Sequence, residues 1–241
     1  MTLQPRVIPV IQIEGTKQVK TTQFKNPKYI GNPINTAKIF FDMGVHEVAI
    51  INITGVLTEK TYETLGKITK QLFVPCSYGG GIKSVEDARE VFNRAGVEKI
   101  IINSAVQEEL IRELAEEIGR QSVVVSIDHG KRGECYLNHG QDLTQYEAVN
   151  MAKDTTKWGA GEILMNSIDR DGTMEGYNLP LLQEVVGNVN VPVVALGGAG
   201  TRADLRSALG TGCGGAAAGS LFCYQGKNRA ICVNYVDERI K

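Results

Sequence analysis

The chain has 241 residues, 42% of them apolar and 22% charged, with a formal net charge of -1. That length suffices for one large α/β domain or two small ones, and balanced charge without a basic stripe leaves no expectation of a nucleic-acid partner. No apolar run approaches the roughly 20 residues of a membrane span, the N-terminus lacks a signal-peptide pattern, and Cys76, Cys135, Cys213, Cys223 and Cys232 form no CxxC, so a cytoplasmic protein with reduced thiols is expected.

An apolar strand, Arg6–Ile13, opens the chain, and a polar, Lys-rich loop is expected to run to about Asn32. Asn32-Pro33 reads as an N-cap with proline in the first helical position, opening a helix that ends near Gly44. Glu47–Ile53 is a second strand and Thr58–Gln71 a second helix. Val74–Tyr78 is a third strand that breaks into Gly79-Gly80-Gly81, and Ser84, with Asp87 three residues on, caps the next helix. Lys99–Asn103 is strand four, followed by a charged amphipathic helix over Glu108–Gly119.

Strand five is Ser122–Asp128, followed by a polar excursion of hairpin character over Gly133–Gln141 and a helix over Thr144–Trp158. Strand six lies in Gly161–Ser167, an apolar run that ends in Asp169, Asp171, Gly172 and Thr173. A polar cluster there falls at the C-terminal end of a strand, where α/β folds carry their chemistry. Val191–Leu196 is strand seven, breaking into Gly197-Gly198-Ala199-Gly200, and Gly214–Gly219 is strand eight. Gln225–Lys241 leaves little room for a full closing helix, so a short or irregular element is expected there. Eight strands alternating with helices predict a closed (β/α)8 barrel.

Four features recur at an offset close to half the chain: Gly79-Gly80-Gly81 with Gly197-Gly198-Ala199, Asn103-Ser104 with Gly219-Ser220, Glu47 with Glu162, and Gln12 with Asp128. Their shared order points to one barrel built from two half-barrels, about 1–120 and 121–241. Each half ends a strand in a Gly-rich turn and the next in a small polar pair, so backbone N–H groups and helix N-termini can cradle an anion. The candidates are Gly81, Asn103 and Ser104 in the first half, and Asp171, Gly172, Gly198, Gly219 and Ser220 in the second. Tight βα turns are the other reading of the same glycines.

Ser167-Ile168-Asp169-Arg170-Asp171-Gly172-Thr173, Gly79-Gly80-Gly81-Ile82, Gly197-Gly198-Ala199-Gly200 and Ser126-Ile127-Asp128 together resemble the cyclase subunit of imidazole glycerol phosphate synthase, over nearly the whole chain. The resemblance implies a duplicated (β/α)8 barrel that takes ammonia from a glutaminase subunit docked at its N-terminal face. It also implies that the ammonia is added to a bis-phosphorylated ribonucleotide at the opposite face. The family's catalytic pair is an aspartate ending strand one and another ending strand five. Asp128 matches the second, but Gln12 stands at the first, and Asn52 stands where strand two usually has an aspartate. An amide does no general acid–base work near neutral pH. The family's ammonia gate matches in full as Arg6, Glu47, Lys99 and Glu162, four ordinary strand-end surface charges being the other reading, and Lys20 matches a mobile lysine that closes over substrate, a solvated loop lysine being the other reading.

Phe24–Ile34, Ala218–Phe222 and Gly226–Ala230 resemble a divergent branch that accompanies amidotransferases in surface-polysaccharide biosynthesis, where an acetamido sugar becomes an acetamidino sugar. That branch implies a glutaminase partner, a phosphorylated or nucleotide-linked sugar ligand and a possible third, amidating enzyme. A histidine-biosynthesis cyclase and a non-catalytic barrel that activates a glutaminase stay open as alternatives. His129 could reach the mouth, but a lone His makes no metal site, and no dinucleotide fingerprint is present. Neither metal nor cofactor is expected.

Overall fold

The computed structural model describes residues 5–236. The chain runs β1 (Arg6–Glu14), β2 (Lys17–Thr22), β3 (Lys25–Gly31), α1 (Pro33–Asp42), β4 (Val48–Asn52), α2 (Glu59–Thr69), β5 (Cys76–Gly79), α3 (Val85–Ala95), β6 (Lys99–Ile102), α4 (Glu108–Ile118) and β7 (Val123–His129). It continues β8 (Glu134–Leu137), β9 (Asp142–Glu147), α5 (Ala148–Trp158), β10 (Glu162–Ser167), α6 (Leu179–Val186), β11 (Val193–Leu196), α7 (Arg202–Gly210), β12 (Gly215–Ala218), α8 (Ser220–Cys223), β13 (Tyr224–Gln225) and β14 (Ala230–Ile231).

Strands β1, β4, β5, β6, β7, β10, β11 and β12 pair in parallel in that order, and β12 pairs back onto β1 through Arg6↔Gly215. The result is the closed eight-stranded barrel that the alternation of elements predicts. Both faces of each strand are covered, which is why the runs are apolar throughout rather than alternating. Successive side chains still point to opposite faces. On β7, Val123, Val125 and Ile127 join the core between sheet and helices. Val124 joins a separate inner cluster with Ile8, Val10, Ala49, Ile101, Leu164, Val194 and Ala217. Ser126 and Asp128 follow Val124 on that inward file.

The helix starts follow their local chemistry. Asn32 Oδ1 accepts from Ile34 N–H, Thr58 and Thr61 form a capping box, and Ser84 Oγ accepts from Asp87 N–H. Two sequence expectations are corrected. The stretch read as a Lys-rich loop is the antiparallel ribbon β2–β3, with β2 paired on β1. Its polar residues Gln18, Lys20 and Thr21 are buried because distant groups satisfy them, and its turn at Gln23 and Phe24 takes left-handed φ without the Gly or Pro that marks a turn. The helix expected from Thr144 begins at Ala148, since residues 142–147 pair with β8 as β9 and Thr144 Oγ1 donates to the Cys135 carbonyl. Helices α6 and α7 carried no sequence assignment. The closing element is short, as expected: α8 spans four residues and β13–β14 follows. The remainder of that expectation, residues 237–241, lies outside the described residues. No described helix is long and apolar enough to cross a membrane.

Candidate active site

At the N-terminal end of the barrel, Arg6, Glu47, Lys99 and Glu162 fall on inward positions and close a ring of alternating charge. Arg6 reaches Glu47 at 2.6 Å and Glu162 at 2.7 Å. Lys99 reaches the same carboxylates at 3.0 and 3.2 Å. Burial acts to lower the Arg6 pKa, but the charges of Glu162 and Glu47 and their hydrogen bonds outweigh it and hold the guanidinium above its ordinary range. Above the ring lies a cavity of about 10 Å³, the space of roughly one water-sized molecule. Its walls are Ile8, Val10, Ala49, Val124 and Leu164, with Glu47 and Glu162 at its foot.

At the opposite end the inward file of β7 finishes in Asp128, which is 7% exposed. Its Oδ1 accepts from Asn166 Nδ2 at 3.0 Å and from Ser126 Oγ at 3.2 Å. Burial pushes the carboxyl up to about 7, against those two hydrogen bonds, and the charge of Asp171 adds to the rise. An acid balanced near neutrality at a barrel mouth suits proton transfer.

Gln12 ends the inward file of β1. Its Oε1 accepts from Lys20 Nζ at 3.3 Å, Thr21 N at 3.1 Å and Thr21 Oγ1 at 3.2 Å. Lys20 is buried, not solvated: Nζ pairs with Asp171 Oδ1 at 2.8 Å, while Thr21 Oγ1 donates to Asp171 Oδ2 at 2.9 Å. The β2–β3 ribbon is thereby tied down on the loop after β10. Gly172 and Gly219 belong to the same knot. A Cβ on Gly172 would lie 2.6 Å from the Thr21 carbonyl oxygen, and one on Gly219 would lie 3.1 Å from Lys20 Cε. Ser220 Oγ, next in the chain, is buried without a hydrogen-bond partner. Lys20, Asp171, Gly172, Gly219 and Ser220 therefore converge beside Gln12.

Other candidates stand apart. Asn52 occupies the outward phase of β4, in register with Ile13. Its amide is spent on Val56 O, Tyr78 Oη and Thr54, so period-two geometry turns it away from Gln12. Asn103 Nδ2 donates to Ser126 O, and Ser104 Oγ accepts from Asn138 N of the β8–β9 hairpin. Gly81 and Gly198 have positive φ, and a Cβ on Gly198 would come within 2.1 Å of the Gly176 carbonyl, so backbone packing alone demands glycine there. His129 is buried on the outward phase, its Nδ1 2.9 Å from Gly130 O. Among the described residues no group of His, Cys, Asp and Glu side chains is arranged to hold a metal ion. Asn166 and Ser126 had no place among the sequence candidates, although the spacing from Glu162 through Leu164 to Asn166 already puts Asn166 on the inward file.

A sequence profile for the family described as "Histidine biosynthesis protein" matches residues 6–229. A Leptospira interrogans protein provisionally named imidazole glycerol phosphate synthase subunit HisF is 39% identical over 99% of this chain and 98% of its own. A Pseudomonas aeruginosa protein, provisionally named subunit hisF2, is 40% identical over 96% of each chain. The Pyrococcus furiosus imidazole glycerol phosphate synthase subunit HisF is 38% identical over 92% of this chain and 91% of its own. The chain belongs to the HisF-like family. Within that HisF-like barrel, the mouth sets the Asp128 carboxyl, on β7, against the Gln12 amide, on β1, with Asp171 paired to Lys20 beside it.

Proposed function

We propose that this chain is the ammonia-accepting, synthase-type subunit of a glutamine amidotransferase complex. One observation carries the reading: a charge-neutral ring, an apolar cavity of one-molecule size and a carboxyl titrating near neutrality stack along the same inward side of one barrel. A glutaminase subunit docks on the N-terminal face, where Met43 and Phe73 are exposed, Phe73 at 81%. Ammonia enters past the ring on its Lys99 side, whose 3.0 and 3.2 Å contacts are looser than those of Arg6. The apolar cavity passes a neutral molecule and disfavours ammonium. At the mouth the ammonia lone pair adds to an electrophilic carbonyl carbon of the ligand as the π pair moves to its oxygen, and Asp128 carries protons from the new nitrogen to that oxygen, which leaves as water.

The ligand we assign is a phosphorylated or nucleotide-linked sugar in acetamidino-sugar formation for a surface polysaccharide. Gln12 supports this over the histidine-pathway ribonucleotide. Its oxygen is committed to Lys20 and Thr21, and an amide replaces the carboxylate that a paired acid–base mechanism needs. The orphaned Ser220 hydroxyl and buried Lys20 suit a phosphate at that end. The second reading, the cyclase of histidine biosynthesis, is favoured by the resemblance to the Pyrococcus furiosus subunit. The test is a cyclase assay with the histidine-pathway ribonucleotide and saturating ammonium at high pH, on the unaltered protein and on Gln12→Asp. Turnover by the unaltered protein establishes the second reading. Silence from it, with activity only in Gln12→Asp, supports the first.

A further inference from the structure

Asn166 stands beside Asp128 in the β10–β7 register, on the inward file of β10. Nδ2 donates to Asp128 Oδ1 at 3.0 Å, and Ser126 Oγ donates to the same oxygen at 3.2 Å. Among the described residues no donor reaches Asp128 Oδ2. Two donors converging on one carboxylate oxygen hold the group's rotation and leave the other oxygen as the one free to exchange a proton. The far end of the same amide, Asn166 Oδ1, is buried with no partner. A buried acceptor left unpaired is costly and rare, and here it lies next to the group the mechanism uses.

We propose that Asn166 is the positioning residue of the mouth: its Nδ2 clamps Asp128 Oδ1, so that Asp128 Oδ2 alone transfers the proton. The role of Asp128 rests on the function proposed above, but the clamp itself does not. The charged and titratable groups around Asp128 are few. Asp171 lies across the mouth and is neutralised by Lys20, and Cys135 and Tyr136 of β8 lie alongside in the antiparallel register. None of them donates to Asp128, so its charged form depends on Asn166 and Ser126.

The experiment follows the Asp128 carboxyl by 13C NMR of aspartate-labelled protein across pH 4–9, Asp128→Asn identifying the resonance. A hydrogen bond to a charged group contributes enough that Asn166→Ala should raise the Asp128 midpoint by about one pH unit or more. Ser126→Ala, losing the longer bond, should raise it less. Asn166→Asp keeps the size and sets two carboxyls side by side, so titration should split into two steps, the upper above the wild-type midpoint. A midpoint unmoved in Asn166→Ala, with a folded far-UV spectrum, overturns the clamp. So does a single unshifted step in Asn166→Asp, which covers the case in which the alanine variant fails to fold. These readings need neither ligand nor glutaminase. A shifted midpoint in a protein that never uses ammonia would retain the clamp and reject the proposed function.

Discussion

Replacing Glu162 with Gln tests whether the floor ring is a buried network or four surface charges. Glu162 serves both cations, Arg6 at 2.7 Å and Lys99 at 3.2 Å, and its own side chain is 9% exposed. Its removal leaves two positive groups on Glu47 alone, and breaking a buried pair in this way costs about 3–5 kcal/mol. Arg6 and Lys99 keep 21% and 18% of their side-chain exposure, so water relieves part of the loss and the lower end applies. About 3 kcal/mol corresponds to a fall in Tm of about 6–12 °C for a chain of this size. A thermal melt at pH 7.5 followed by far-UV circular dichroism reads it. The double variant Glu162→Gln with Lys99→Met restores neutrality around the Arg6–Glu47 pair and should recover part of the loss, with a coupling of about 1–3 kcal/mol. A fall below about 2 °C, or strict additivity in the double variant, would show that the four charges behave as solvated strand ends and refute the reasoning.

Asp128→Asn should change the pH dependence of stability. A carboxyl raised to about 7 in the fold holds a proton that the unfolded chain has already lost. Wild-type stability therefore falls as pH rises from about 4 to about 7, then levels off; the variant lacks that penalty and should exceed wild type by up to about 4 kcal/mol at pH 8 and by little at pH 4. Urea unfolding at the two pH values checks this, and equal differences at both would contradict the raised value. Gly198→Ala, at φ +115 with its Cβ 2.1 Å from a carbonyl oxygen, should cost about 3 kcal/mol or more, whereas Gly210→Ala, at a helix end in open space, should be neutral or stabilising by about 0.5–1 kcal/mol. Paired melting curves decide it. Thr201 accepts from Asp204 N–H while Asp204 answers to Thr201 N–H, so Thr201→Ala should remove about 1 kcal/mol without altering the mouth.

What could be read from the chain alone were features decided within a few residues. Proline after Asn32, the hydroxyl of Ser84, and glycine-terminated apolar runs placed α1, α3 and the barrel strands, because caps, turns and strand burial act locally. The floor residues were legible as a set only through the family resemblance; taken singly, each reads as an ordinary charge at the start of an apolar strand. The tertiary structure decided what depends on phase and closure. Whether Gln12 and Asn52 share a site turns on strand parity, which a single residue's identity does not carry, and Asn52 proves to face outward. The burial of Lys20 depends on Asp171, far along the chain, and without that partner the β2 sequence reads as solvated loop. Asn166 becomes significant only when β10 pairs with β7 and sets its amide against Asp128. Local chemistry determined the elements; only closure of the barrel could bring distant polar groups close enough to neutralise, orient and titrate one another.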